Sequence, residues 1–181
     1  MFEIKNLKHK NLAIELLKRL INDEIKIKAR KNLVKSKEFS EMLEEAVKRY
    51  HNKTIESAQI IEELIKLAKE IRESDKRGEE LRLSEDELAF YDALETNDSA
   101  VKILGDMVLK EIARELVITV KKNLTIDWNI RENVKAHLRS RVKRILRKYN
   151  YPPDKQEKAT KTVIEQTELL CYEWNGMIDL K

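Results

Sequence analysis

Three glycines and two prolines are spread over 181 residues, and that scarcity limits the accessible folds more than any other feature of the chain. Strand-rich folds and tight hairpins need residues that accept positive φ; only Gly78, Gly105 and Gly176 do so without a side chain in the way. Phosphate-cradling loops require closely set glycines, as in G-x-x-x-x-G-K-[ST] or G-x-G-x-x-G, and these three lie too far apart for either. One cysteine, Cys171, excludes an internal disulfide and a cysteine-based zinc site, and suits a reducing compartment. No apolar run approaches the roughly 18 residues of a membrane span, and no signal-peptide core opens the chain. The expectation is a cytoplasmic, all-α protein of about eight helices in one or two antiparallel bundles, without membrane contact.

Charge is unevenly placed. Residues 1–83 hold 20 basic and 16 acidic side chains, residues 84–129 hold 5 and 10, and residues 130–181 hold 12 and 7. An acidic block therefore separates two basic ones, while Leu, Ile and Val recur at helical spacing throughout, which argues against a disordered polyampholyte.

Periodicity places the first helix at about Leu7–Lys31, through Ile14, Leu17, Ile21 and Ile25. A second is expected from an N-cap at Ser36 through Phe39, Leu43, Val47 and Tyr50. A third runs from Thr54 through Ile61, Leu64 and Ala68 to Ile71. The polar stretch Ser74-Asp75-Lys76-Arg77-Gly78-Glu79-Glu80 reads as a linker, which sets sub-bundles at 1–77 and 84–176 with a hinge near 74–83. Ser84-Glu85-Asp86-Glu87 is a capping box that opens a fourth helix. A short fifth begins at Asp98 or Ser99 and stops at Gly105, and Asp106 caps a sixth reaching about Leu124. The seventh covers roughly Ile130–Tyr149, ended by Asn150 in the left-handed C′ conformation. Pro153 then begins the eighth.

The seventh expected helix is the most biased segment, with eight basic residues and one acid between Arg131 and Lys148. At about 100° per residue, Ile130, Val134, Leu138, Val142, Ile145 and Tyr149 share one side, and Arg139, Lys143, Arg144 and Arg147 gather on the other. Cations near a helix C-terminus oppose the macrodipole only over the last turn, so a full-length bias points to an electrostatic footprint for DNA backbone or an acidic protein surface. These four are the candidate partner- or nucleic-acid-binding residues.

Other chemistry finds little support. A helix-turn-helix over 99–123 would lead its recognition helix with Asp106-Met107-Val108, unlike the Arg, Asn or Gln that read base edges. Tripeptides of nuclease type such as Glu3-Ile4-Lys5 and Glu24-Ile25-Lys26 lie in helical surroundings without a strand. His9, His51 and His137 are far apart in the sequence and belong to no metal-binding motif. Cys171, Trp128 and Trp174 read as packing residues. No catalytic residue, cofactor site or metal site is expected.

Several blocks carry a family resemblance: Phe90-Tyr91-Asp92-Ala93-Leu94, Ala113-Arg114-Glu115-Leu116-Val117, Thr125-Ile126-Asp127-Trp128 with Arg131-Glu132, and above all Val142-Lys143-Arg144-Ile145-Leu146-Arg147-Lys148-Tyr149 running into Tyr151-Pro152-Pro153-Asp154-Lys155-Gln156. Together with the stretch from Asn32-Leu33 to about Glu73, they make the chain similar to the C-terminal helical domain of the motor-nuclease (R) subunit of type I restriction enzymes. Asn150 stands where the family pattern has glycine, and Ser140-Arg141 where it has apolar residues. The resemblance implies that residues 1–181 are a fragment of an ATP-dependent, Mg²⁺-using type I site-specific deoxyribonuclease, whose nuclease and ATPase domains lie elsewhere. It further implies a non-catalytic docking module that joins the motor to the methyltransferase and specificity subunits. A helical module gripping DNA backbone without sequence readout is the alternative.

Overall fold

The computed structural model describes residues 2–96, 98–123 and 132–178, with side chains described for 10–96, 100–123 and 133–171. It contains α1 (Phe2–Ala29), α2 (Leu33–His51), α3 (Ser57–Leu81), α4 (Glu85–Glu95), α5 (Asp98–Asn123), α6 (Glu132–Lys148) and α7 (Pro153–Ile178). Among the described residues there is no strand, and the all-α expectation holds. The block 125–128, Ile130, Arg131 and the side chains of His9, Glu132 and Trp174 lie outside the described residues.

The expected fifth and sixth helices both lie within α5, divided where they were expected to be, at Gly105. Within α5, Gly105 sits at φ 72°, ψ 166°, a region open essentially to glycine alone. A Cβ there would meet nothing within 4 Å, so the requirement is purely conformational. The glycine breaks the helix without ending the element.

Two compact units emerge, one of residues 1–29 and 35–77, the other of 30–34 and 78–181. In unit 1, α1 contributes Ile14, Ile21 and Ile25 to the core, α2 contributes Phe39, Leu43 and Ala46, and α3 contributes Ile60, Leu64, Leu67 and Ile71. The buried face of α3 departs from the expected one, since Ile61 and Ala68 are only partly covered.

In unit 2, α4 and α6 each pack against both α5 and α7. Phe90, Tyr91 and Leu94 meet Leu109, Ile112, Leu116 and Val120 from α5, Leu138, Val142 and Leu146 from α6, and Val163 and Leu170 from α7 in one apolar cluster. Burying a side chain of that size contributes about 1.5–3 kcal/mol. Tyr151 is 1% exposed, and its hydroxyl donates to the Leu94 carbonyl at 3.0 Å.

Helix ends follow local chemistry where the sequence supplies it. Ser84 accepts from the Glu87 amide at 3.3 Å while the Ser84 amide donates to Glu87 Oε2 at 2.8 Å, which completes the expected capping box. Asn150 lies at φ 54°, with the Tyr151 amide donating to the Leu146 carbonyl and the Asn150 amide to the Arg147 carbonyl. This is the Schellman arrangement. Lys53 and Arg82, each at φ 55°, end α2 and α3 with the same bond pattern.

Two local expectations fail. Ser36 does not cap α2; it lies inside the helix, 5% exposed. The helix starts at Leu33, whose amide donates to Gln166 Oε1 at 2.9 Å, so a side chain 133 residues away replaces the local cap. The stretch 74–80 is not a loop either, because α3 continues to Leu81. Its last turn approaches the following segment closely at Gly78, where a Cβ would lie 3.3 Å from the Leu83 carbonyl oxygen. The boundary between the units, at Arg77/Gly78, falls inside this helix.

Candidate functional site

The basic helix α6 is anchored by Leu138, Val142, Ile145 and Leu146, all at most 6% exposed. Leu146 extends the buried face beyond the expected residues. With that stripe committed to the core, the intervening positions must face outward, and Arg139, Arg144 and Arg147 are exposed while Lys143 is half-buried. The four candidates share the solvent arc but do not make one cluster. Lys143 Nζ reaches across to Glu157 Oε2 on α7 at 2.7 Å, which holds the Glu157 carboxyl below its usual range. On the same side, Lys135 pairs with Glu168 at 3.0 Å.

Arg144 belongs to the opposite flank. There α5 and α6 enclose an open groove of about 630 Å³ lined by Glu115, Thr119, His137, Ser140, Arg141, Arg144, Ile145 and Lys148. Ser140 and Arg141 are both exposed here. Sequence reasoning missed Arg141 as a site residue. Its signal was available in the spacing of His137, Arg141, Arg144 and Lys148, which recur every three or four residues along one line of the helix.

One end of the groove is electrostatically closed. Glu115 Oε2 accepts from Lys148 Nζ at 2.7 Å and from the Tyr149 hydroxyl at 2.8 Å. Burial alone would raise the Glu115 carboxyl, but hydrogen bonds from Lys148 and Tyr149 outweigh it and hold the group below its ordinary value. The same contact raises Lys148 and Tyr149. Glu115 thus offsets the Lys148 charge, whereas Arg141, Arg144 and Arg147 take part in no ion pair or hydrogen bond among the described residues.

A second outward feature lies in unit 1. Leu12, Leu16 and Leu20 are 69%, 57% and 54% exposed, and Ile27 continues their line at 57%. Steps of four, four and seven residues keep these side chains on one face of α1 over about 22 Å. Helix α1 is therefore apolar on two faces, and only the one with Ile14, Ile21 and Ile25 is buried in unit 1. The sequence reading registered the inner face alone.

Cys171 is 1% exposed, and burial, aided by Glu168, pushes its thiol up to about 12. It stays protonated and unreactive near neutrality. Among the described residues, no three His, Cys, Asp or Glu side chains gather to hold a metal ion, and no helix is long and apolar enough to cross a membrane.

Comparison with known proteins gives these faces a context. Residues 1–173 match the family described as "Type I restriction enzyme HindI endonuclease subunit-like, C-terminal". The type I restriction enzyme HindI endonuclease subunit of Haemophilus influenzae is 41% identical over 174 residues, which cover 96% of this chain and 16% of that protein. A putative type I restriction enzyme MjaIXP endonuclease subunit of Methanocaldococcus jannaschii is 38% identical over 149 residues, 81% of this chain and 14% of its own. The chain thus spans about a sixth of the length of these relatives. No solved structure matches it.

Proposed function

Because the chain belongs to the C-terminal family of type I restriction endonuclease subunits, we propose that it is a non-catalytic docking module joining an ATP-dependent motor-nuclease to its methyltransferase and specificity subunits. The observation that carries this reading is the outward stripe Leu12, Leu16, Leu20 and Ile27. Scattered surface leucines are ordinary, but a continuous apolar line on one helix face marks a surface meant to be covered. Glu15, Lys18, Arg19, Asp23 and Glu24 lie between these residues in sequence, a charged setting of the kind that rims a protein interface. The chemistry of cleavage and of ATP turnover belongs to other parts of the enzyme, so this module needs no cofactor of its own.

Binding of the full chain to the purified methyltransferase–specificity complex, measured by calorimetry without DNA, tests the proposal. Association is expected, and replacing Leu16 and Leu20 by glutamate should weaken it more than tenfold, since a central apolar anchor often contributes more than about 1.4 kcal/mol. Unaltered binding by that variant, or a wild-type chain that dimerises through the stripe and ignores the complex, would overturn it.

A further inference from the structure

The groove between α5 and α6 has a use that docking does not explain. We infer that it is a phosphate-binding site for the nucleic-acid backbone, in which Arg141 and Arg144 grip phosphodiester oxygens without reading sequence. The two arginines stand at i and i+3 on α6, with Cβ atoms about 5–6 Å apart, close enough for both planar guanidinium forks to converge on one phosphate or on two successive ones. Neither takes part in an ion pair or hydrogen bond among the described residues, and both line the same concavity. Most other cations of α6 are already engaged: Lys135 with Glu168, Lys143 with Glu157 and Lys148 with Glu115.

The rest of the lining selects among anions. Thr119 and His137 add side chains of the kind that commonly contact phosphate oxygens, while the Ser140 hydroxyl donates to the Ala136 carbonyl at 3.1 Å. Among the described lining residues Ile145 is the only aliphatic one and is 6% exposed, so the walls consist mostly of the stems and heads of polar side chains. Among the described lining residues no Phe, Tyr or Trp offers a platform for base stacking, and no Asn or Gln is there to read a base edge. From His137 to Lys148 the stripe extends about 16 Å along the helix, a length suited to a run of backbone rather than to one free ion.

Fluorescence anisotropy with two 25-base-pair duplexes of unrelated sequence, titrated from 50 to 200 mM salt, tests the site in the full chain. The wild type is expected to bind both duplexes alike. R141A/R144A, which removes two exposed side chains, is expected to lower the slope of log K against log salt by about two units on each. E115Q should act in the opposite sense, releasing Lys148 to the groove and steepening the slope by about one unit. An R139A/R147A pair, outside the groove, should leave the slope nearer the wild-type value. The inference falls if the wild type does not bind duplex at 50 mM salt, if R141A/R144A keeps the wild-type slope, or if R139A/R147A loses as much. Because no partner subunit enters this measurement, its failure is distinct from failure of the docking reading.

Discussion

Unit 1 closes over aliphatic side chains and Phe39, with Ser36 its only buried polar residue among those described, whereas unit 2 buries Asn32, Asp92, Thr160, Gln166 and Thr167 within a larger apolar cluster. In unit 2 the polar groups answer one another over long stretches of chain. Asn32 Nδ2 donates to Asp92 Oδ2 at 2.7 Å, and Gln166 accepts from the Leu33 amide while donating to the Lys31 carbonyl at 2.8 Å. The turn between α1 and α2 is thereby fastened into unit 2 by side chains of α4 and α7. An apolar core needs only the right volume on the right face. A buried polar network needs each named partner, because an unmatched group retains its full desolvation cost.

The largest effects should separate the two kinds of core. In unit 1, Leu64→Ala should cost about 2–5 kcal/mol, and the volume-conserving Leu64→Met less than about 1.5 kcal/mol. In unit 2, Asp92→Leu keeps the branched outline but is larger, and it should cost at least about 1–3 kcal/mol by removing the acceptor of Asn32 Nδ2 and crowding the site; Asp92→Asn should recover part of that loss. Urea unfolding of each variant measures the contrast. Equal tolerance of Leu64→Met and Asp92→Leu would erase the distinction between the units.

This contrast also explains what the sequence made legible. Helix class, the Ser84 capping box, the left-handed Asn150 and the start of α7 at Pro153 rest on residues within five positions of each other, and local chemistry decides them. Ser36 failed as a cap because its competitor, Gln166, is remote. The buried line of α3 was misjudged because Ile60 and Ile61 are both apolar and periodicity does not choose between neighbours; packing does. At the candidate site the exposed arc of α6 followed from the leucines and valines that bury its other side. The division of its cations between α7 and the groove depended on Glu157, Glu168 and Glu115, whose positions belong to tertiary structure.

A smaller effect comes from the helix ends, which recur in both units and so isolate backbone strain from core composition. A non-glycine residue in the left-handed region costs about 1–2 kcal/mol, against which glycine loses about 0.5–1 kcal/mol of unfolded-state entropy. Lys53→Gly in unit 1 should therefore raise stability by about 0.5–1 kcal/mol. Asn150→Gly in unit 2 should gain less, because asparagine already tolerates that conformation. Thermal melts of the two variants should rank in that order; the reverse ranking would mean that side-chain contacts of Lys53 outweigh its backbone strain.

The smallest effect is the most local to the proposed phosphate groove. Glu115 is held below its ordinary carboxyl value of 4.5 by Lys148 and Tyr149, so its stabilising contribution is complete above that value and disappears as pH falls through the lower folded one. The raised Tyr149 phenol adds a second limit, since its contribution is present below its ordinary value of 10.0 and is lost as pH rises through the higher folded one. Solvent reaches the groove and screens both, so the change in Tm should be smaller than in the glycine series. Replacing Glu115 by glutamine should flatten the fall of Tm between pH 5 and pH 3 and also the decline above pH 10, while leaving the neutral range nearly unchanged. A variant that keeps the wild-type slope at both extremes would show that the Glu115, Lys148 and Tyr149 cluster is not coupled to folding. Lys148 would then already be available to the groove, and the steeper salt dependence expected of E115Q should vanish with it.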